Sequence, residues 1–391
     1  MRIALFSWET LHSIPVGGVA AHVSGLSAAL CDRGHEVHVF TRQAPGQATY
    51  ENVGGIHYHR CPYEAHPDFV VDIQRMCDSF VWHFGETEAF LNDGGFNVVH
   101  GHDWLCAHAL VQAKNTHRKP VVMTVHSTEY GRCGNTHCGG RSEQIAHLEW
   151  EGTYVADQVI CVSEALREEA REIYQVPAEK MTAVHNGVNA ARYNGEVDAA
   201  CVRAKCGVGQ RDPMVLFVGR LAWQKGPDIL LAAIPGLLQE RPQAKFVFVG
   251  DGEMRGDLER DARQMGLGQA TRFLGYRNGS ALVNLFKSAD VVCVPSRNEP
   301  FGIVILESWS AGKPVVATRN GGPAEFVSHG YDGLVVRDDS PSVGWGLGTT
   351  CSDFEHARWM GRNGRSTVQS RFTWNTIAAR TERVYQAAWH R

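Results

Sequence analysis

Short runs of consecutive apolar residues alternate with longer stretches whose apolar positions recur at helical spacing, and this alternation passes through the chain twice. The first set of runs is Ile3–Phe6, Val37–Phe40, Val98-Val99, Val121–Val125, Val159–Val162 and Met181–Val184. The second is Met214–Val218, Phe246–Val249, Val291–Val294 and Val315–Ala317, with the more polar Thr271–Tyr276 reading as a further strand of the same set. Short apolar runs bounded by turn residues read as strands buried on both faces, as in a parallel sheet. Between them, Ala20–Arg33 carries His22, Leu26, Ala29 and Leu30 on one face and is ended by Gly34. Ser142–Tyr154, Glu164–Tyr174 (capped by Ser163), Ile303–Ala311 and a final amphipathic stretch Thr376–Trp389 read as further helices. Strand, crossover helix and strand repeated in this way predict right-handed βαβ units. One stretch breaks the pattern: Gly344, Gly346 and Gly348 each disfavour a helix by about 1 kcal/mol relative to alanine, so an irregular or mobile segment is expected there.

At 391 residues the chain has room for two full cores. The expected division is a first domain over 1–190, a second over 191–372, and a C-terminal helix over 373–391 that returns to the first, with the polar stretch up to Gln210 as the hinge. A net charge of −4 gives no support for nucleic-acid binding. No run of about 18 apolar residues exists, so no membrane span is expected. Met1–Ser7 is too short an apolar core for a signal peptide and reads as a first strand. Eleven scattered cysteines predict reduced thiols and a cytoplasmic setting. Cys133 and Cys138 flank His137, but no second ligand pair follows; loop thiols are expected and no metal site.

The chemistry gathers where strands run into helices. Asn298–Glu307 joins the strand at Val291–Val294 to the helix at Ile303, so the backbone N–H groups of Phe301, Gly302 and Ile303 lie at a helix N-terminus suited to phosphate or a sugar oxygen. Gly302 has no Cβ to hold a ligand off. Glu299 and Glu307 are eight residues apart, roughly 9–10 Å along a helix, too far to face one bond as a retaining glycosidase pair does at about 5 Å. They suit two contacts to one elongated ligand. Arg220 and Lys225, on a loop after the strand Met214–Val218, make a clamp for a diphosphate whose negative charge grows on departure. His102 and Asp103 end another strand, with Asp103 also a candidate helix N-cap. The pair Gly17-Gly18 lacks the full dinucleotide-binding glycine spacing.

The Asn298–Glu307 run, with its E-x7-E spacing, resembles the donor site of retaining glycosyltransferases of the family that includes sucrose-phosphate synthases and archaeal-type glycogen synthases. So do G-R-L-x-x-x-K-G from Gly219, H-x-H-D-W from His100 and H-S-T-E-x-G-R from His126. The resemblance covers nearly the whole chain and implies a GT-B fold: α/β, two Rossmann-like doubly wound domains facing across a cleft. It implies that Glu299 meets the transferred sugar and Glu307 the ribose, that His102 hydrogen-bonds the sugar, and that Tyr276 and Arg277 lie at the nucleobase. It places Gly17 and Gly18 near the donor phosphates, through backbone alone because Val16 stands where bacterial glycogen synthases have lysine. His126 and Glu129 become acceptor-side contacts, and acceptor specificity is expected in 64–92 and 131–141. The implied activity is retaining, metal-independent and without a cofactor: glucose passes from ADP-glucose or UDP-glucose to an α-glucan. A small sugar, a sugar phosphate or a lipid-linked molecule is the alternative acceptor. A nucleotide-sugar epimerase is the alternative from another class, but it has no need of the R-x4-K clamp together with E-x7-E.

Overall fold

The computed structural model describes residues 1–91 and 94–389. Residue 92, the end of one stretch expected to set acceptor specificity, and residues 390–391 of the C-terminal segment lie outside the described residues. The chain forms two compact units, Met1–Gly187 with the segment from Trp374 onward, and Val188–Thr373.

The first unit is built on an eight-stranded sheet. Its strands are β1 (Arg2–Ser7), β2 (Glu36–Arg42), β3 (Tyr50–Val53), β4 (Ile56–Cys61), β5 (Val98–His102), β6 (Val121–Val125), β7 (Gln158–Cys161) and β8 (Met181–Ala183). They lie in the order β3-β4-β2-β1-β5-β6-β7-β8, with β3 antiparallel on the edge and all other pairs parallel. Strand order turns back between β1 and β5, the point at which open α/β sheets leave a crevice for a ligand. The helix Gly18–Asp32 buries Val23, Leu26 and Leu30 against Ile3, Leu5, Val37 and Val39. Gly34, at φ +87°, ends it with its N–H on the Cys31 carbonyl.

The C-terminal helix Trp374–Trp389 joins this core through Ile377, Ala378 and Tyr385. The indole of Trp374 lies where a Cβ on Gly25 would be 2.2 Å away and one on Gly187 2.7 Å away, so only glycine fits at either position. Arg33 pairs with Glu382, and the Tyr385 hydroxyl is 2.8 Å from Nδ1 of His100.

The second unit has six parallel strands, β9 (Met214–Val218), β10 (Lys245–Val249), β11 (Thr271–Phe273), β12 (Val291–Val294), β13 (Val315–Thr318) and β14 (Gly333–Val336). Their order, β11-β10-β9-β12-β13-β14, is the Rossmann order, with the crevice between β9 and β12.

The irregular segment expected at Gly344–Gly348 is instead part of a regular helix, Ser340–Ser352. Packing outweighs propensity here. A Cβ on Gly346 would stand 2.8 Å from Val316 and 3.1 Å from Val336, so glycine lets the helix axis come down onto the sheet. Asp339 caps it through the Ser342 N–H at 2.7 Å. Strand β5 also runs two residues beyond its expected end at His100, carrying His102 on the sheet itself. Among the described residues, no helix is long and apolar enough to cross a membrane.

Candidate active site

In the second unit both sides of the crevice carry charge. The loop after β9 brings Lys225, and the loop after β12 brings Glu299. The Lys225 ammonium donates to both carboxylate oxygens of Glu299, at 2.9 Å each, and Ser296 Oγ donates to Oε2 at 2.8 Å. The Glu299 side chain is 9% exposed and that of Lys225 25%, so the charges meet in a partly desolvated setting that strengthens their attraction.

The backbone of Glu299 is fixed as firmly as its side chain. Its N–H donates to the Asn320 carbonyl at 3.2 Å, and its own carbonyl accepts from the Gly322 N–H at 2.9 Å. Gly321, at φ +87°, faces that carbonyl so closely that a Cβ would be 2.2 Å from the oxygen. Gly226, beside Lys225, is equally constrained at φ +62°, its Cβ position 2.1 Å from the Pro295 carbonyl oxygen. Two glycines thus let three loops close on one point.

Arg220 is exposed on the same loop as Lys225. Phe301 is buried among Phe326 and Phe372, and Gly302, at φ +98°, precedes the helix Ile303–Ser310. Glu307, one turn into that helix, accepts from the Tyr193 hydroxyl at 3.2 Å, and loss of hydration pushes its carboxyl up to about 7. Tyr276 is 52% exposed in the connection after β11. Arg220, Lys225, Glu299, Phe301, Gly302, Ile303, Glu307 and Tyr276 therefore all belong to one unit, in the loops that follow its strands or, for Ile303 and Glu307, in the helix that one of those loops enters.

The corresponding crevice of the first unit is polar and buried. His102 ends β5 and His126 follows β6; Nδ1 of the former is 3.2 Å from Nε2 of the latter. His22, from the helix Gly18–Asp32, meets both rings edge to face and holds Asn186 Oδ1 through Nδ1 at 2.7 Å. Burial drives His22 and His102 well below the ordinary imidazole range and His126 down to about 3, so all three are neutral at pH 7. The Nε2 atoms of His22 and His102 are buried without a hydrogen-bond partner.

Asp103 stands at the N-cap position of the short turn Trp104–Cys106, but its side chain makes no capping bond there. It sits at φ +60°, and its Oδ1 accepts from the His126 N–H at 2.7 Å, tying the β5 and β6 loops together. Burial pushes its carboxyl up to about 6. Glu129, in the segment after β6, pairs with Arg132 at 3.0 Å, and its N–H donates to Glu149. Glu149 is 2% exposed and also receives Arg132 and the Tyr174 hydroxyl; desolvation pushes it up to about 7. Cys133 and Cys138 are both free thiols.

The Gly17-Gly18 loop holds a residue that sequence reasoning missed. Glu9, 5% exposed just past β1, accepts the N–H groups of Val16 at 2.6 Å and Gly17 at 2.5 Å. Desolvation raises its pKa against these bonds. The Gly17 N–H, expected to meet a donor phosphate, already donates to a carboxyl oxygen of this chain. Tyr193, Asn186 and Gly321 were missed as well, because each acts through a partner distant in sequence, and so was Ser296, whose hydroxyl meets Glu299 within its own loop. His22 left a trace: a polar residue on an otherwise apolar helix face.

Residues 202–366 match the family described as "Glycosyl transferases group 1", and residues 16–192 match "Glycosyltransferase Family 4". The chain is 37% identical to an uncharacterised glycosyltransferase of Methanocaldococcus jannaschii, over 99% of this chain and 98% of that one. It is 30% identical to the glycogen synthase of Mycobacterium tuberculosis, over 99% and 95%. Among solved structures, sucrose-phosphate synthase from Thermosynechococcus elongatus superposes with a TM-score of 0.79 at 25% identity, covering 100% of this chain and 99% of that one. The catalytic domain of starch synthase IV from Arabidopsis thaliana reaches a TM-score of 0.80 at 16% identity, with the same coverage. With two parallel-sheet domains and this kinship over its whole length, the chain belongs to the GT-B glycosyltransferases, in the family that includes glycogen synthases.

Proposed function

We propose that this glycosyltransferase moves glucose from ADP-glucose or UDP-glucose to the end of an α-glucan, with retention of configuration. The observation that carries the reading is the Lys225–Glu299 pair at the crevice of a Rossmann-ordered sheet. A cation set beside a carboxylate suits a ligand that is anionic at one end and rich in hydroxyls at the other. On this reading Lys225 turns to the diphosphate as it binds and, with Arg220, stabilises the charge that grows on the leaving group. Glu299, released from its partner, accepts from sugar hydroxyls. The N–H groups at Phe301, Gly302 and Ile303 face the phosphates, Glu307 the ribose and Tyr276 the base. Two protein cations meet the leaving charge, so the reaction has no need of a resident metal.

His102 contacts the transferred sugar, and His126 lies toward the acceptor; Gly18 and the Glu9-held Gly17 shape the phosphate side of the first unit. The α-glucan acceptor is supported by the glycogen synthase relative and by starch synthase IV, whose structure contains ADP and acarbose. Use of a UDP donor is supported by an Anabaena neighbour solved with UDP-glucose. Free thiols at all eleven cysteines fit a cytoplasmic enzyme. The second reading is a small phosphorylated acceptor, favoured by relatives that are D-inositol 3-phosphate glycosyltransferases at 28–30% identity.

The test is a grid of nucleotide-sugars against maltooligosaccharides, inositol phosphate and hexose phosphates, with products weighed by mass spectrometry. A maltooligosaccharide one hexose heavier, absent with Glu299→Gln, is the expected result. Extension of only a phosphorylated acceptor would replace the glucan, and no product from any pair would overturn the assignment.

A further inference from the structure

Three elements of the first unit, a helix and two strand ends, deliver His22, His102 and His126 to one point. One ring nitrogen from each lies within 4.8 Å of the other two. The separation of His102 Nδ1 and His126 Nε2, 3.2 Å, is close to the edge of a tetrahedron around a zinc ion with bonds of about 2.0–2.1 Å. His22 stands at 65° to His102 and 79° to His126, while His102 and His126 are tilted by 31°, so the lone pair of His22 can converge from a different plane on those of the other two. Asn186 accepts from His22 Nδ1 at 2.7 Å, which leaves Nε2 as the lone-pair nitrogen, and that atom is buried without a partner. An outer hydrogen bond that fixes the tautomer is the usual support of a metal-binding histidine.

We infer that His22, His102 and His126 form a three-imidazole site for a zinc-class transition-metal ion, with the fourth position left to water or a ligand oxygen. Soft to borderline nitrogen ligands exclude magnesium and calcium, which take oxygen. Asp103, whose Oδ1 holds the His126 N–H, supplies a buried acid close to the added charge. His126 is the partly exposed member and gives the ion its way in. On the transferase reading, His102 cannot hold the metal and serve the sugar unhindered, so the ion acts as an inhibitor; the binding claim itself does not depend on that reading.

Equilibrium dialysis against Zn²⁺ at micromolar concentration, with the metal counted by mass spectrometry, tests the site. Co²⁺ absorbance distinguishes it from the free cysteines, because a thiolate ligand adds a charge-transfer band. One ion per chain is expected, without the thiolate band, lost in His22→Ala and in His126→Ala. Asn186→Ala, which leaves all three ligands in place, is expected to weaken binding by about 10- to 100-fold. Circular dichroism checks that each variant folds. Zn²⁺ bound equally by folded His22→Ala and His126→Ala, Co²⁺ bound only through thiolate, or no saturable binding would each overturn the inference. If zinc binds as expected and the wild type transfers no sugar, the transferase reading fails while the site stands. In an active enzyme, Zn²⁺ is expected to inhibit competitively with the nucleotide-sugar and to be reversed by chelation.

Discussion

Replacing Gly321 by alanine is the sharpest perturbation of the Glu299 backbone. The new methyl would stand 2.2 Å from the Glu299 carbonyl oxygen, against the 3.0 Å that real Cβ contacts almost never undercut. One of the two loops must retreat by about 1 Å, and a displacement of that size at a reacting centre can cost about 100-fold in rate. Left-handed φ adds strain of about 1–2 kcal/mol for a residue with a Cβ. Gly312→Ala separates the two effects: that glycine has φ +72° but no heavy atom within 4 Å of its Cβ position. Both variants should lose similar stability in denaturant titrations from strain alone, and Gly321→Ala somewhat more. Only Gly321→Ala should lower kcat by about 100-fold. Equal activity in the two variants would refute the view that the Gly321 contact sets the position of Glu299.

Four further outcomes are expected. Lys225→Met should reduce kcat by about 10²–10³ and lower stability by about 1–3 kcal/mol, since the buried Glu299 loses its partly exposed countercharge; kinetics and denaturation read the two separately. Glu9→Gln should raise the donor KM by about tenfold, because two backbone N–H groups lose a charged acceptor, while Glu9→Ala should do more. Gly25→Ala should destabilise the first unit by more than about 2 kcal/mol through its clash with Trp374, seen as a fall in denaturation midpoint. Glu149 binds a proton more tightly folded, at about 7, than its ordinary 4.5. Between those values the folded state holds more protons than the unfolded chain, so this group's contribution to stability falls as pH rises through the window. Denaturation from pH 5 to pH 8 should show that decline, and Glu149→Gln should remove its share.

Both sheets were legible because their central strands are buried on both faces and spell themselves in unbroken apolar runs, such as Met214–Val218 and Val121–Val125. Edge strand β3 was not, since Tyr50–Val53 is largely exposed and carries no such run. The helix through Gly344–Gly348 was misread because its glycines answer to Val316 and Val336, which sequence spacing does not bring near. In the second unit, Lys225 and Glu299 could each be picked from their own loops, but their pairing depends on strand order. Glu9 and Asp103 show the same limit: each carboxylate serves backbone N–H groups elsewhere, and a carboxylate facing a backbone leaves no motif.

The most direct measurement is proton NMR of one reaction mixture: ADP-glucose or UDP-glucose, a maltooligosaccharide and the enzyme. It follows the donor's anomeric signal, the free nucleoside diphosphate and the new linkage together. An α-anomeric signal growing in step with nucleoside diphosphate, and only when acceptor is present, is the predicted result. A β-linked product, or donor consumed at the same rate without acceptor, would contradict it.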